Sequence, residues 1–283
     1  ALTSNSMNID MRTFRLIGMA LLAIVLCMNF ISCSDDEELD SNKSQKNITQ
    51  IIESYNSGEK RITTLEYDAD GNLIGLDEGG EYYETITYSD NQISITIHDM
   101  GSMNGPWTNK YYLNAGRIIQ CEDGYNGDVY IYKYDEKKQL IEQTEKSKYG
   151  TDKVTKYTWN NGNIIKCEYQ KNENLNGDYE YTSTIYAYTD IPSTKGFSLA
   201  GLQLQGGFDN YYTAEILYQK GYFGVYPKNL VSTYINYNND YTEESNIVLT
   251  YSFNNEGYIS NINVKNLIDK ESEENGTIKV NWE

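Results

Sequence analysis

The stretch "ITTLEYDADGNLIGL", residues 62–76, decides how the whole chain reads. It alternates apolar and polar residues as far as Tyr67-Asp68, crosses a few small polar residues that include Gly71, and resumes its alternation at Leu73. Alternation with period two marks a strand with one buried side. An aspartate can open a tight turn by bonding its side chain to nearby backbone amides, and a glycine supplies the positive φ that such turns need. The stretch therefore reads as one β-hairpin.

The same pattern returns down the chain. It recurs as "ITYSDNQISI" (86–95), "YYLNAGRII" (111–119), "YKYDEKKQLI" (132–141), "YTWNNGNII" (157–165) and "YSFNNEGYIS" (251–260), with "YAYTDI" (186–191) as a degenerate copy. The residues before the turns, Tyr67, Tyr88, Leu113, Tyr134 and Trp159, are separated by 21, 25, 21 and 25 residues, so a 46-residue unit carries two hairpins and four strands. Self-similarity at a fixed period means stacked units that bury their faces on their neighbours. Within strands, Ile93, Ile95 and Ile97 fall on one face and Ser94, Thr96 and His98 on the other. A flat sheet of so many strands would leave its apolar face wet, so the sheet must curl. The fold class is all-β: an extended antiparallel meander of repeated hairpins curled into a barrel or half-barrel, with one short helix-loop insertion. Composition agrees, with 28 Tyr against three Pro in 283 residues, since aromatic and β-branched side chains suit a pleated surface.

The cadence breaks at about 197–229. In "DNYYTAEILYQKGYFG" (209–224) the apolar residues 212, 216 and 217 and the following Gly221 predict a short helix ended by a glycine cap. A helix-loop insertion of this kind plugs or caps the open end of a curved sheet.

The first 32 residues have the order of a secretory signal peptide. Arg12 and Arg15 precede the apolar run Leu16 to Ile31, and Ser32-Cys33 then leads into Ser34-Asp35-Asp36-Glu37-Glu38. The 16-residue run is shorter than the ~20 residues that span a bilayer, which disfavours a transmembrane anchor. Ser32-Cys33 resembles a bacterial lipobox, in which the cysteine becomes the acylated first residue. Phe30 stands where leucine is usual, and the other candidate, Cys27, follows Leu26 rather than a small residue. The acidic run resembles the export signal that sends Bacteroidetes lipoproteins to the outer face of the outer membrane. The expected organisation is signal peptide 1–32, lipid-bearing Cys33 opening an acidic tether 33–46, and a β domain 47–283, outer-membrane anchored and surface-exposed. Loss of Asp10, Arg12 and Arg15 shifts the net charge from −18 to −19. So acidic a surface repels phosphate backbones, and nucleic acid is excluded as a partner.

The lipobox, the Tyr-Asp-x-x-Gly-x-Leu turn at 67–73 and "GYFGVYPKNL" (221–230) together resemble a Bacteroidetes lipoprotein family of unknown function described as having a porin-like fold, over roughly residues 47–283. The Tyr-Asp turns are also similar to the YD repeats of RHS proteins, which build hollow shells, but about seven degenerate copies are too few to enclose one. The resemblance implies no catalytic residues. A porin-like fold need not cross a membrane. Strands such as "DKVTKYTW" (152–159) and "QLIEQTEK" (139–146) carry charge on both faces, where a transmembrane barrel shows an uncharged outer band, and the mean hydropathy is −0.64.

Chemistry-bearing residues are sparse. The single histidine, His98, lies on a polar strand face beside Asp99 and reads as a solvated side chain rather than a general base. "DADGN" (68–72) spaces Asp68, Asp70 and Asn72 like a calcium loop, but Gly71 precedes Asn72 and the later glutamate position holds Gly79 or Gly80, so it reads as a turn. Cys121 and Cys167, 46 residues apart and in register with Leu76, would sit about four ladder spacings, close to ~19 Å, from one another, too far for a disulfide or a shared metal. They read as small buried apolar residues. No metal site and no cofactor is expected.

Aromatic residues sort by recurrence. Tyr67, Tyr88, Tyr134 and Trp159 return with each unit and read as a structural row. Trp107, Tyr111, Tyr125, Tyr211, Tyr212, Tyr222, Phe223 and Tyr226 do not recur, and they are the candidate ligand-binding residues, because aromatic rings offer flat apolar faces with polar handles. The expected function is a non-catalytic module that binds a glycan or peptide. The alternatives are an accessory protein docked to another outer-membrane component and, more remotely, a glycoside hydrolase, for which no spacing singles out two carboxylates among 41 acids.

Overall fold

The computed structural model describes residues 46–148, 152–172, 179–193, 197, 204, 209–269, 272 and 275–283. The signal peptide, Cys33 and the acidic tether as far as residue 45 lie outside the described residues. Sixteen strands follow in chain order: β1 (Ile48–Tyr55), β2 (Lys60–Tyr67), β3 (Leu73–Asp77), β4 (Tyr82–Ser89), β5 (Gln92–Asp99), β6 (Trp107–Asn114), β7 (Arg117–Glu122), β8 (Val129–Tyr134), β9 (Leu140–Lys146), β10 (Asp152–Asn160), β11 (Asn163–Asn172), β12 (Tyr179–Pro192), β13 (Asn229–Tyr237), β14 (Glu243–Phe253), β15 (Ile259–Asn266) and β16 (Gly276–Trp282). Among the described residues one helix, α1 (Tyr211–Gln219), stands between β12 and β13.

Each strand pairs antiparallel with the next, and β16 returns to β1, with Ile51 opposite Val280, so the meander closes into a barrel. The choice between barrel and half-barrel is thereby resolved. Reciprocal backbone bonds between Asn47 and Glu283, 2.9 and 3.0 Å, complete the seam.

The 46-residue unit is visible as β3 to β6 and again as β7 to β10. The hairpin that follows β2 is opened by Asp68, whose Oδ1 accepts the amides of Asp70 and Asn72 while Gly71 sits at φ +76°. Those bonds, together with the one from Asn72 Nδ2 to Oδ2, commit the Asp68 carboxylate to the turn, in agreement with the turn reading of "DADGN". Asp135, Asn238 and Asn254 build the same turn with their own downstream amides.

The recurrent aromatics form a row of clasps. Near the end of an even-numbered strand a ring donates back to a carbonyl at the start of the preceding strand: Tyr88 to Leu73 (2.8 Å), Tyr134 to Ile118 (2.6 Å), Trp159 to Leu140 (2.7 Å), Tyr188 to Ile164 (2.6 Å), Tyr251 to Val231 (2.6 Å) and Trp282 to Ile259 (2.6 Å). In "YSFNNEGYIS" it is Tyr251, not the pre-turn Phe253, that makes the bond; Phe253 is 39% exposed beyond a slip in the ladder. Leu113 has no donor to contribute, and the buried hydroxyl of Tyr67 has no hydrogen-bond partner among the described residues.

The inner wall is mostly apolar, apart from a polar layer that includes Glu53, Glu84 and Asn109, and the outer wall is mostly polar. Ile93, Ile95 and Ile97 are buried in the lumen, as are Leu65, Ile86, Ile118, Leu140, Ile164 and Leu249. Outside, Lys133, Glu142, Lys156 and Glu168 stand opposite one another across β8 to β11, a row of alternating charge. Transmembrane barrels place their uncharged band on this side. Sixteen strands ordinarily enclose an aqueous channel, so an apolar inner wall requires something to fill it.

The segment between β12 and β13 does so. It leaves the wall at Ser193, whose amide bonds Lys228 near the Gly162 turn, and Asp209 and Asn210 lie at the opposite end, bonded to Asn109 and Glu78. Helix α1 then runs back through the lumen. Its residues from Tyr212 to Tyr218 are all buried, as expected of a helix surrounded on every side. At nine residues it is too short to be stable by itself, so packing holds it. Asn210 caps its start by accepting the Tyr212 amide; Gly221, at φ +85°, ends it with bonds from the Gly221 amide to Tyr218 and from the Tyr222 amide to Leu217. The loop that follows is stitched to the hairpin turns by the amides of Val225 and Lys228, which donate to Lys138 and Gly162. Helix α1 and the loop after it thus plug the barrel.

Candidate functional site

One mouth of the barrel is sealed by the stitched loop 222–228. The other carries the loops that follow the odd-numbered strands, and here two of the eight non-recurrent aromatics meet. Trp107 opens β6 and Tyr125 lies in the loop between β7 and β8; their ring centroids are 4.9 Å apart at 54°. Trp107 is half-buried and Tyr125 is 52% exposed.

The pair is held from beneath by Asn109, which is buried. Its Oδ1 accepts the Gly124 amide at 2.9 Å and its Nδ2 donates to Asp209 Oδ2 at 3.1 Å, while Trp107 Nε1 approaches the same oxygen at 3.4 Å. Only glycine fits at 124, because a Cβ there would overlap the Thr108 backbone. Asp123 fixes the loop by accepting the amides of Tyr125 and Asn126, and Asn104 Nδ2 approaches the Tyr125 hydroxyl at 3.4 Å. Burial raises the Asp209 carboxyl above its ordinary range; the bonds from Trp107 and Asn109 oppose this, and the charges of Asp123 and Asp99 add to it.

A layer of acids lies deeper at this end, where wall meets plug. Glu53 accepts from Tyr211 at 2.6 Å, and Glu84 accepts from Tyr82 at 2.6 Å and from Thr213. Burial pushes the Glu84 carboxyl up to about 7 against the pull of those two hydrogen bonds. Both Glu84 oxygens are thus engaged, and the residue is 3% exposed. Its environment is that of a structural acid joining wall to plug rather than one presented to a substrate. Among the described residues no three His, Cys, Asp or Glu side chains lie close enough together to hold a metal ion.

The other candidates do not join this pair, although Tyr211 and Tyr212 meet deeper in the barrel with ring centroids 4.0 Å apart. Tyr111, Tyr212 and Phe223 are wholly buried in the core. Tyr211 is spent on Glu53, Tyr226 donates to the buried Glu215, and Tyr222 leans on Tyr88 at 6.0 Å. Cys121 and Cys167 are both buried, as the spacing suggests. His98 stacks on Tyr83 at 4.1 Å and 7° on the outer face. A recess of about 420 Å³ opens between β1, β15 and β16, lined by Ser54, Asn56, Asn263, Lys265 and Thr277 with no aromatic side chain. The sequence reading missed Asn109, Gly124 and Asp209. Asn109 and Asp209 meet across 100 positions, and Gly124 has no local signature beyond being a glycine in a polar loop.

A closed, sixteen-stranded antiparallel meander is the setting in which a family match carries weight. Residues 77–261 match the family described as a domain of unknown function (DUF4595) with porin-like fold. The chain belongs to this family. Its fold is similar to two crystal structures: a porin-like protein from Bacteroides uniformis (17% identity, TM-score 0.56) and one from Bacteroides vulgatus (15% identity, TM-score 0.58). In each case the similarity covers 83% of this chain and 98% of the other. No curated protein matches the chain. Identities this low speak to the porin-like fold alone. In this member of the family the polarity of the walls is the reverse of a membrane pore's.

Proposed function

We propose that the protein is a non-catalytic binding module, tethered through acylated Cys33 to the outer face of the outer membrane, that takes a glycan or peptide at the Trp107–Tyr125 mouth. The observation that carries this reading is the mouth itself. Two ring faces are partly open to solvent, and their positions are set in advance by Asn109, Gly124 and Asp209. Rigid aromatics beside fixed polar groups lose little entropy when a ligand arrives.

The position of the anchor is consistent with this. The wall begins at Ile48, at the end where the hairpin turn at Gly71 and the plug loop lie, and the tether 33–46 joins it there. The charged outer wall suits a domain standing in water above the membrane.

Glycan-array binding by the mature protein, compared with its Trp107→Ala variant, tests the reading. Trp107-dependent binding supports it, and silence across glycans and peptides counts against it. A second reading, docking to another outer-membrane component, is favoured by the outward isoleucines Ile74, Ile119 and Ile141, each 36–38% exposed. Cross-linking in intact cells that captures no consistent partner would argue that reading away.

A further inference from the structure

A second aromatic pair, Tyr181 of β12 and Tyr241 of the β13–β14 turn, puts a bulky ring at a turn position that two of the three related turns give to glycine. The hairpins opened by Asp68, Asp135, Asn238 and Asn254 share one hydrogen-bond pattern, and in each the fourth residue lies in the left-handed region: Gly71 (φ +76°), Lys138 (+65°), Tyr241 (+57°) and Gly257 (+81°). Glycine is the low-strain choice there, and a bulky ring is a true outlier. Tyr241 is nevertheless 73% exposed, with its ring centroid 5.6 Å from that of Tyr181 at 47°. Lys138 shows that a side chain is tolerated at this position, so the feature to explain is the exposed ring itself and its pairing with Tyr181.

The surroundings of the pair are built. Asn239, in the same turn, accepts the Tyr181 amide and so draws the turn onto β12. The Tyr181 hydroxyl donates to Glu168 at 2.8 Å, and Lys166 holds the same carboxylate oxygen at 2.8 Å. Lys156 stands across the ladder from Glu168. The Lys166 contact, ahead of the smaller Tyr181 and Lys156 contributions, keeps the Glu168 carboxyl below its usual range. Both side chains remain about a third exposed.

We infer that Tyr181 and Tyr241 form a second ligand site, distinct from the Trp107–Tyr125 pair, which takes a neutral sugar ring. Two ring faces set at an angle accept the C–H face of a pyranose, and the rim offers both donors (Lys156, Lys166) and acceptors (Glu168, the phenol oxygens) to ring hydroxyls. A flat apolar protein surface would leave that mixed rim unpaired, which is costly.

The discriminating variant is Tyr241→Gly, because it installs the residue that two sibling turns already use. Saturation-transfer NMR of the full chain with neutral hexasaccharides of glucose, mannose and xylose should show binding that weakens by about tenfold or more in Tyr241→Gly, while Tm is unchanged or rises by a few degrees. Trp107→Ala should leave that Tyr241-dependent signal in place, which separates this site from the mouth. Absence of any Tyr241-dependent saccharide binding overturns the inference, as does a fall in Tm in Tyr241→Gly, which would make the ring structural. Loss of a cross-linked protein partner in the variant, without saccharide binding, would replace the sugar by a protein.

Discussion

Thr213 on the plug donates its hydroxyl to the carboxylate of Glu84 on β4, a contact that joins the filling of the barrel to its wall. Glu84 titrates at about 7 in the folded chain against an ordinary value of 4.5. The acid is therefore protonated in the fold at pH values where it is already ionised in the unfolded chain. Below about 4.5 both states hold the proton and nothing is lost; between 4.5 and 7 stability falls as pH rises, by about 3 kcal/mol at about 1.36 kcal/mol per unit, and above 7 the loss is complete. Glu84→Gln should match the parent at pH 4 and exceed it at pH 8 by roughly that amount in urea unfolding. Equal stabilities at pH 8 would show that Glu84 is not a proton-holding acid.

The clasps make a paired prediction. Tyr134→Phe removes the bond to the Ile118 carbonyl, at a cost of about 1 kcal/mol. Tyr67→Phe removes a buried hydroxyl with no partner among the described residues, and should be neutral or slightly stabilising. Denaturant midpoints of the two variants, measured side by side, distinguish a ring that clasps from one that only packs.

Much of this fold can be read from the sequence because its information is local. The Asp68 turn, the alternation of Ile93 to Ile97 and the Gly221 stop each depend on residues within a few positions. Closure is different: Ile51 meets Val280, and no local pattern specifies that pair. Closure also explains why non-recurrence was a mixed signal for the site. A sealed apolar lumen has to be filled, so Tyr111, Tyr212 and Phe223 are consumed as filling, while Trp107 and Tyr125 lie at the rim where filling is not needed. The strained Tyr241 could have been found by comparing "NNDYT" (238–242) with "DADGN", which places a tyrosine where the sibling turn has glycine.

At the mouth, Gly124→Ala forces a methyl group against the Thr108 backbone and should cost about 2 kcal/mol while loosening the Tyr125 loop. A lowered Tm together with loss of any Trp107-dependent binding is the expected result. A variant that keeps both would show that the loop is not braced at this point.

The two wall cysteines should be chemically silent. Burial raises the Cys121 thiol far above its ordinary value and pushes Cys167 up to about 12, and only the thiolate reacts. A thiol reagent should label neither in the native mature chain and both in denaturant. Rapid native labelling would mean that the wall opens.

The account rests most heavily on α1 being the solid filling of an inward-apolar barrel. Hydrogen exchange of the backbone amides from Ile216 to Gln219 tests this directly. They should exchange as slowly as the amides of Ile95 and Ile97 in the wall, opening only with the whole fold. Exchange as fast as in the exposed Asp68 turn would contradict it, because a helix that opens independently of the wall is not its packed filling.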